Sequence, residues 1–270
     1  MSNRRYVVCQ LLTTFLLLAS HPSARATQHP KIPAASATRT NPRDGGVMIY
    51  VPAGLFMMGD NDLDQQFQNC PRHMVTLDAF WIYKNDVTVA QYRKFCQETG
   101  KEMPKAPDWG WKEDHPIVNV SWDEAKAYCD WAHTSLPTEE QWEKAARGTR
   151  GRKYPWGNKW DPGKLWCSSG KYKWETVPVG SFPAGASPYG CLDMAGNVEQ
   201  WCADWYDGSY YRKGNNHNPK GPTTGEDRMA LGGSWDAKFE LYLRCGIRHF
   251  LPPGLRYASC GFRCVVRADS

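Results

Sequence analysis

The stretch from Gly148 to Thr224 most restricts how this chain can fold: it is dense in glycine and aromatic residues and shows almost no periodic segment. Without helical or strand periodicity, such a stretch must run as loops, and loops stay ordered only when something offsets their conformational entropy. Metal ions, disulfides and tryptophan packing are the available means. The composition supplies two of them, 13 Trp and 10 Cys. Collagen-like and low-complexity classes are excluded, since 24 Gly and 19 Pro show no period, and 13 Trp, 13 Tyr and 9 Phe rule out general disorder. At 270 residues the chain suits one sizeable domain.

The N-terminus bears on the compartment. Arg4 and Arg5 precede an apolar run, Tyr6 to Ala19, and then Ala24-Arg25-Ala26, an A-x-A cleavage pattern. This order is that of a signal peptide, residues 1–26. The run is shorter than the roughly 20 residues of a spanning helix, so no stable membrane anchor is expected. A periplasmic or secreted location follows, and there cysteines favour disulfides over redox or metal chemistry. Cleavage would remove three arginines and no acid, lowering the net charge from +5 to +2. With no Lys/Arg stripe either, no nucleic-acid partner is expected. The histidines form no metal-binding pair.

Residues 27–45, rich in Pro, Ala, Ser, Thr and Asn, read as a flexible leader before a domain spanning 46–267. Strands are expected at Val47–Val51, Phe56–Met58, Met74–Ile82, Ile117–Val120, Leu241–Cys245 and Phe262–Val266. Three capping boxes, Thr88/Gln91, Ser121/Glu124 and Thr138/Gln141, each open a helix. In the second, Trp122, Ala125, Cys129 and Ala132 recur at helical spacing and should face the core. The class is α+β.

Eight motifs occur in an order that is similar to one family. They are VPAGLFMMG (Val51–Gly59), VTLDAFWI (Val75–Ile82), SLPTEEQWEKAARG (Ser135–Gly148), YPWGN (Tyr154–Asn158), VPVGSFPAGASPYGCLDMAGNVEQWCADWY (Val177–Tyr206), LGGSW (Leu231–Trp235), LRCGIR (Leu243–Arg248) and CGFRCV (Cys260–Val265). Together they resemble the formylglycine-generating, or sulfatase-modifying factor, family. The resemblance implies a C-type-lectin-like fold of short strands, two to three helices and much irregular structure, with bound structural calcium. Asp193, the carbonyls of Gly196 and Val198, and Gln200 match the calcium loop. There the family's GNVWEW reads GNVEQW, so an amide stands where the loop has a carboxylate. Calcium prefers hard, charged oxygens, which predicts a weakened site unless Glu199 substitutes. Cys129 and Cys264 match a family disulfide. Cys245 matches another structural cysteine, but Ala146 stands at its partner position, leaving Cys260 as an alternative partner or Cys245 free.

The family's copper-binding cysteines lie between the GGS motif and the following R-C. Here Trp235 to Arg244 contains no cysteine, and Glu240 stands where the second would fall. A carboxylate is a poor Cu(I) ligand and forms no mixed disulfide, which argues against sulfatase activation. The cleft residues expected instead are Ser234, Trp235, Glu240, Tyr242, Arg248 and His249. Glu240 and His249 could serve as acid and base, with Arg248 on an anionic group. The nearest functional likeness is to the family's exported pyoverdine-maturation members, which also lack the copper cysteines. That implies oxidation or tailoring of a secreted siderophore or peptide precursor, a small-molecule or peptidic partner alongside partner periplasmic enzymes, and an unassigned catalytic cofactor. The alternative is a non-catalytic ligand-binding or accessory module on a lectin-like surface.

Overall fold

The computed structural model describes residues 37–61, 72–167, 174–210 and 216–269. The signal-peptide expectation and Cys70 lie outside them. The described strands are β1 (Thr38–Thr40), β2 (Val47–Val51), β3 (Gly54–Met58), β4 (His73–Leu77), β5 (Phe80–Tyr83), β6 (Glu199–Trp205), β7 (Arg228–Leu231), β8 (His249–Leu251), β9 (Cys260–Gly261) and β10 (Val265–Arg267). The helices are α1 (Val89–Thr99), α2 (Trp122–Trp131) and α3 (Glu139–Arg147). One sheet has the order β1-β2-β5-β10, a second β8-β7-β6-β9, and β3 and β4 form a hairpin. Only β6 and β9 pair in parallel; the other ladders are antiparallel. This is the α+β architecture expected.

All three capping boxes form, each with the hydroxyl accepting from the third amide and the Gln or Glu side chain accepting from the cap amide. Trp122, Ala125, Cys129 and Ala132 are buried, as their spacing predicts. Several strands differ from expectation. Met74–Ile82 divides into β4 and β5, which belong to different sheets. Ile117–Val120 joins no ladder, because Asn119 takes a φ of +59° and breaks the extended run. Leu241–Cys245 is mostly a 3₁₀ turn, Glu240–Leu243. The 27–45 leader also needs correction. Thr38–Thr40 pairs with β2, the Asn41 amide donates to the Tyr83 hydroxyl at 2.6 Å, and the Tyr83 and Tyr128 hydroxyls both donate to Asp44. Polar side chains that read as a linker act here as partners for buried tyrosines.

Two large apolar clusters, with a smaller third around Leu165 and Leu243, make the core. One joins α1, α2 and the C-terminal segment through Tyr92, Phe95, Tyr128 and Phe262; the other surrounds Trp142 of α3 with Met58, Leu231, Ala146 and Cys245. Cys245 and Cys260 fall in different clusters. All eight described cysteines are buried thiols, with the Cys129 and Cys264 sulfurs 3.5 Å apart. Between the clusters lies Arg263, fully buried. It reaches Asp86 at 3.0 Å, Gln200 Oε1 at 2.6 Å and the carbonyls of Tyr83, Lys84 and Leu192. Burial pushes the Asp86 carboxyl upward and Arg263 opposes that shift.

Removing one member of a buried ion pair strands the other, at about 3–5 kcal/mol. Arg263→Met should therefore lose that much in urea denaturation. Adding Asp86→Leu should restore part of it; a double mutant no better than the single would mean that the carbonyl contacts, not Asp86, carry the loss.

Candidate functional site

β6, β7 and β8 bring two distant segments together. Trp201 pairs with Ala230, and Ala230 with His249. Strand alternation puts Glu199, two residues before Trp201, on the same face. Ala230 is small enough to leave the diagonal from β6 to β8 open. Across it, His249 Nδ1 meets Glu199 Oε1 at 2.5 Å. Both side chains are mostly buried, 22% and 16% exposed. His249 Nε2 is buried and has no protein partner.

This pair lines a cavity of about 400 Å³ together with Ser234, Asp236, Ala237, Lys238, Phe239 and Tyr242. The Gly232-Gly233 turn shapes its far wall. Gly233 has a φ of +63°, and a Cβ there would lie 2.5 Å from the Tyr242 carbonyl oxygen, so only glycine lets the 3₁₀ turn approach. The Tyr242 ring consequently sits edge-on to His249 at 5.8 Å. The Ser234 hydroxyl donates to Asp236.

Of the expected cleft residues, the structure gathers Ser234, Tyr242 and His249. It places three elsewhere. Glu240 is exposed at the start of the 3₁₀ turn and does not line the cavity, so the expected Glu240–His249 couple does not form; Glu199 is the carboxylate that meets His249. Arg248 points to the opposite face, as strand alternation requires. It is buried and forks onto Glu139 at 2.7 and 3.0 Å, so it has no anionic ligand to hold. Trp235 turns away from the cavity, its indole N–H donating to the Ala258 carbonyl at 3.0 Å. Glu199 was missed as the partner of His249. Its signal was present in the GNVEQW departure, which puts a carboxylate in the tryptophan position of the pattern.

The calcium loop does not fit the ion. Gln200 Oε1 accepts from Trp142 Nε1 at 2.6 Å and from Arg263 Nε at 2.6 Å. Both groups are donors only, which fixes the orientation of the amide. Its NH₂ therefore faces inward and donates to the Asp193 carbonyl at 2.7 Å. A hydrogen-bond donor stands where a cation would bridge carboxylate and carbonyl, so Gln200 is no ligand. Asp193 is engaged as well, accepting from the Gly180 amide at 2.7 Å. Gly196 and Val198 are buried in the same turn, where a Cβ on Gly196 would lie 2.4 Å from the Trp166 carbonyl oxygen. Among the described residues no cluster of His, Cys, Asp and Glu forms a metal site.

With this geometry in hand, residues 34–268 match the family model of the sulfatase-modifying factor enzyme 1-like domain, and the chain belongs to that family. It is 30% identical to the formylglycine-generating enzyme of Mus musculus over 90% of this chain and 82% of the relative. The formylglycine-generating enzyme of Streptomyces coelicolor is 31% identical, with 91% and 97% covered. In fold, the chain matches PvdO from Pseudomonas aeruginosa with a TM-score of 0.76 at 24% identity, covering 87% of this chain and 99% of that one. Five of the cavity's lining residues, Asp236, Ala237, Lys238, Phe239 and Tyr242, lie in the Trp235–Arg244 interval, which contains no cysteine.

Burial alone would depress the His249 imidazole, but the Glu199 carboxylate outweighs it and raises the pKa above its ordinary 6.5. The imidazole is thus protonated to higher pH than usual. Glu199→Gln removes the raising charge and leaves burial to act. NMR titration of His249 should accordingly show a lower pKa in that variant than in the parent protein.

Proposed function

We propose that this protein is an exported maturation enzyme that tailors a small-molecule or peptidic precursor of a secreted siderophore or peptide, as the pyoverdine-maturation branch of the family does. One observation carries the reading: the cavity lined by part of the Trp235–Arg244 interval contains a histidine with a carboxylate on Nδ1 and an unpartnered Nε2. Such a pair moves protons. Nε2 takes a proton from an acidic C–H, N–H or phenolic O–H of the substrate, and Glu199 orients the ring and stabilises the imidazolium, which general acid–base catalysis values at about 10²–10⁴-fold. Tyr242 and Phe239 supply an apolar wall for the substrate. Formylglycine synthesis is not part of the proposal, because the thiolates that it needs are missing.

Deleting the gene and comparing secreted metabolites of iron-limited cultures by mass spectrometry tests the reading. Accumulation of an unmodified precursor is expected, restored by the parent gene and by Glu240→Ala, while His249→Gln should lower conversion by about 10²-fold or more. Because proton abstraction needs neutral imidazole, activity should rise with pH through the raised pKa of His249, and Glu199→Gln should move that acid limb to lower pH. An unchanged metabolite profile on deletion, or full complementation by His249→Gln, overturns it.

Export also bears on the buried thiols. No helix among the described residues is long and apolar enough to cross a membrane. At 3.5 Å, Cys129 and Cys264 need only a small approach to reach disulfide length. The bond would close a separation of 135 residues, for which the chain-entropy model gives about 5 kcal/mol as an upper figure. Non-reducing peptide mapping of periplasmic protein should recover the two cysteines crosslinked, and reductant should lower the Tm. Free thiols at both positions in that material would argue against an oxidising destination.

A further inference from the structure

Three tryptophans from three separate loops meet outside the catalytic cavity. Trp235 lies edge-on to Trp109 at 5.6 Å and to Trp174 at 5.9 Å, with an interplanar angle of 87° in both cases. They line a second cavity of about 510 Å³, within the size range of small-ligand sites. Trp235 is pinned through its N–H to Ala258. Asn119, the left-handed residue that interrupts Ile117–Val120, braces the floor: its side chain donates to the Lys105 carbonyl at 2.9 Å and its amide to the Tyr257 carbonyl at 2.9 Å. Trp174, by contrast, is 60% exposed, and among the described residues no other ring lies against it. An indole left uncovered beside a preformed cavity is the opposite of core packing.

The rim adds charge. Arg256 is fixed by a two-pronged bond to Glu124 at 2.9 and 2.9 Å yet remains half exposed, and the exposed Lys105 stands with it against one rim carboxylate, Asp108. Ser234 and Asp236, on either side of Trp235, line the catalytic cavity. One short segment is thus the wall shared by both.

We propose that the Trp109–Trp174–Trp235 cleft is a subsite that stacks a planar aromatic ring bearing an acidic oxygen, holding it while another part of the same molecule reaches His249. Electron-rich indole faces favour a flat ring over a saturated one, and Lys105 at the rim takes the phenolate or carboxylate. The inference rests on the proposed tailoring activity for its purpose, not for its test.

The mature chain is titrated with 3-hydroxy-2-naphthoate by calorimetry and by quenching of tryptophan fluorescence, with cyclohexanecarboxylate and maltose as comparisons. The naphthoate should bind and the other two should not. Trp174→Ala should weaken it about tenfold or more; Trp109→Phe provides a second, conservative probe and should weaken it less. Lys105→Ala should cost about two- to threefold, as an exposed charge would. His249→Gln should leave the naphthoate affinity unchanged. Equal binding of the saturated acid, preferential binding of maltose, indifference to Trp174→Ala, or no naphthoate binding overturns the subsite. Naphthoate binding that follows these variants, in a strain whose metabolites are unaffected by gene deletion, keeps the subsite and removes the tailoring function instead.

Discussion

Arg263 is the cation on which the rest of the molecule closes. Its guanidinium has no access to solvent and must find every partner inside the protein. It finds them on the end of β5, on the Leu192 carbonyl, on Asp86 and on Gln200 of β6. Gln200 then extends the network to Trp142 of α3 and to the Asp193 turn. Together the contacts tie loop segments to one another and to β5, β6 and α3. A domain with so little periodic structure needs such ties, since a loop's backbone groups have no ladder to satisfy them. A partly satisfied network of this kind would be worse than none, which is why its failure should be cooperative.

The two residues that depart from the family's pattern, Glu199 and Gln200, alter neighbouring parts of the structure. With Gln at 200, the amide N–H donates to the Asp193 carbonyl, a contact that an ionised carboxylate could not make. With Glu at 199, a carboxylate enters the face of the sheet that looks across Ala230 to His249. Loss of the thiolates from the Trp235–Arg244 interval and gain of this pair occur in one cavity. On the proposed function, proton transfer by this pair would stand where the family uses thiolates.

How much of this was readable beforehand depended on the kind of signal. The helices were, because a capping box is a local contract between residues three apart, as at Thr88, Ser121 and Thr138. So was the burial of Cys129, from helical spacing. Strand boundaries failed where a single residue overrode propensity, as Asn119 did. Leu241–Cys245 read as a strand from its short apolar run, but Glu240–Leu243 is a 3₁₀ turn packed close to Gly233. The site failed in a different way. Glu240 and His249 are near in sequence, whereas Glu199 is 50 positions from its partner and reaches it only through sheet register. Arg248 and His249 are neighbours that alternation sends to opposite faces. No one-dimensional reading separates them until the strand is known to exist.

The turn at Trp235–Asp236 lets one segment serve two cavities. Ser234 and Asp236 face His249, while Trp235 between them faces Trp109 and Trp174. A ligand spanning both cavities would therefore meet a rigid partition, with its indole end anchored to Ala258 and its carboxylate end held by Ser234. Proximity contributes to rate only when the reacting atom is positioned without further loss of freedom. A fixed aromatic surface one residue away from the proton-transfer pair meets that condition for a rigid, flat substrate. A flexible chain would gain less, because its own rotations remain to be frozen. On the two proposals together, the partition would favour substrates whose acidic proton and ring belong to one fused framework.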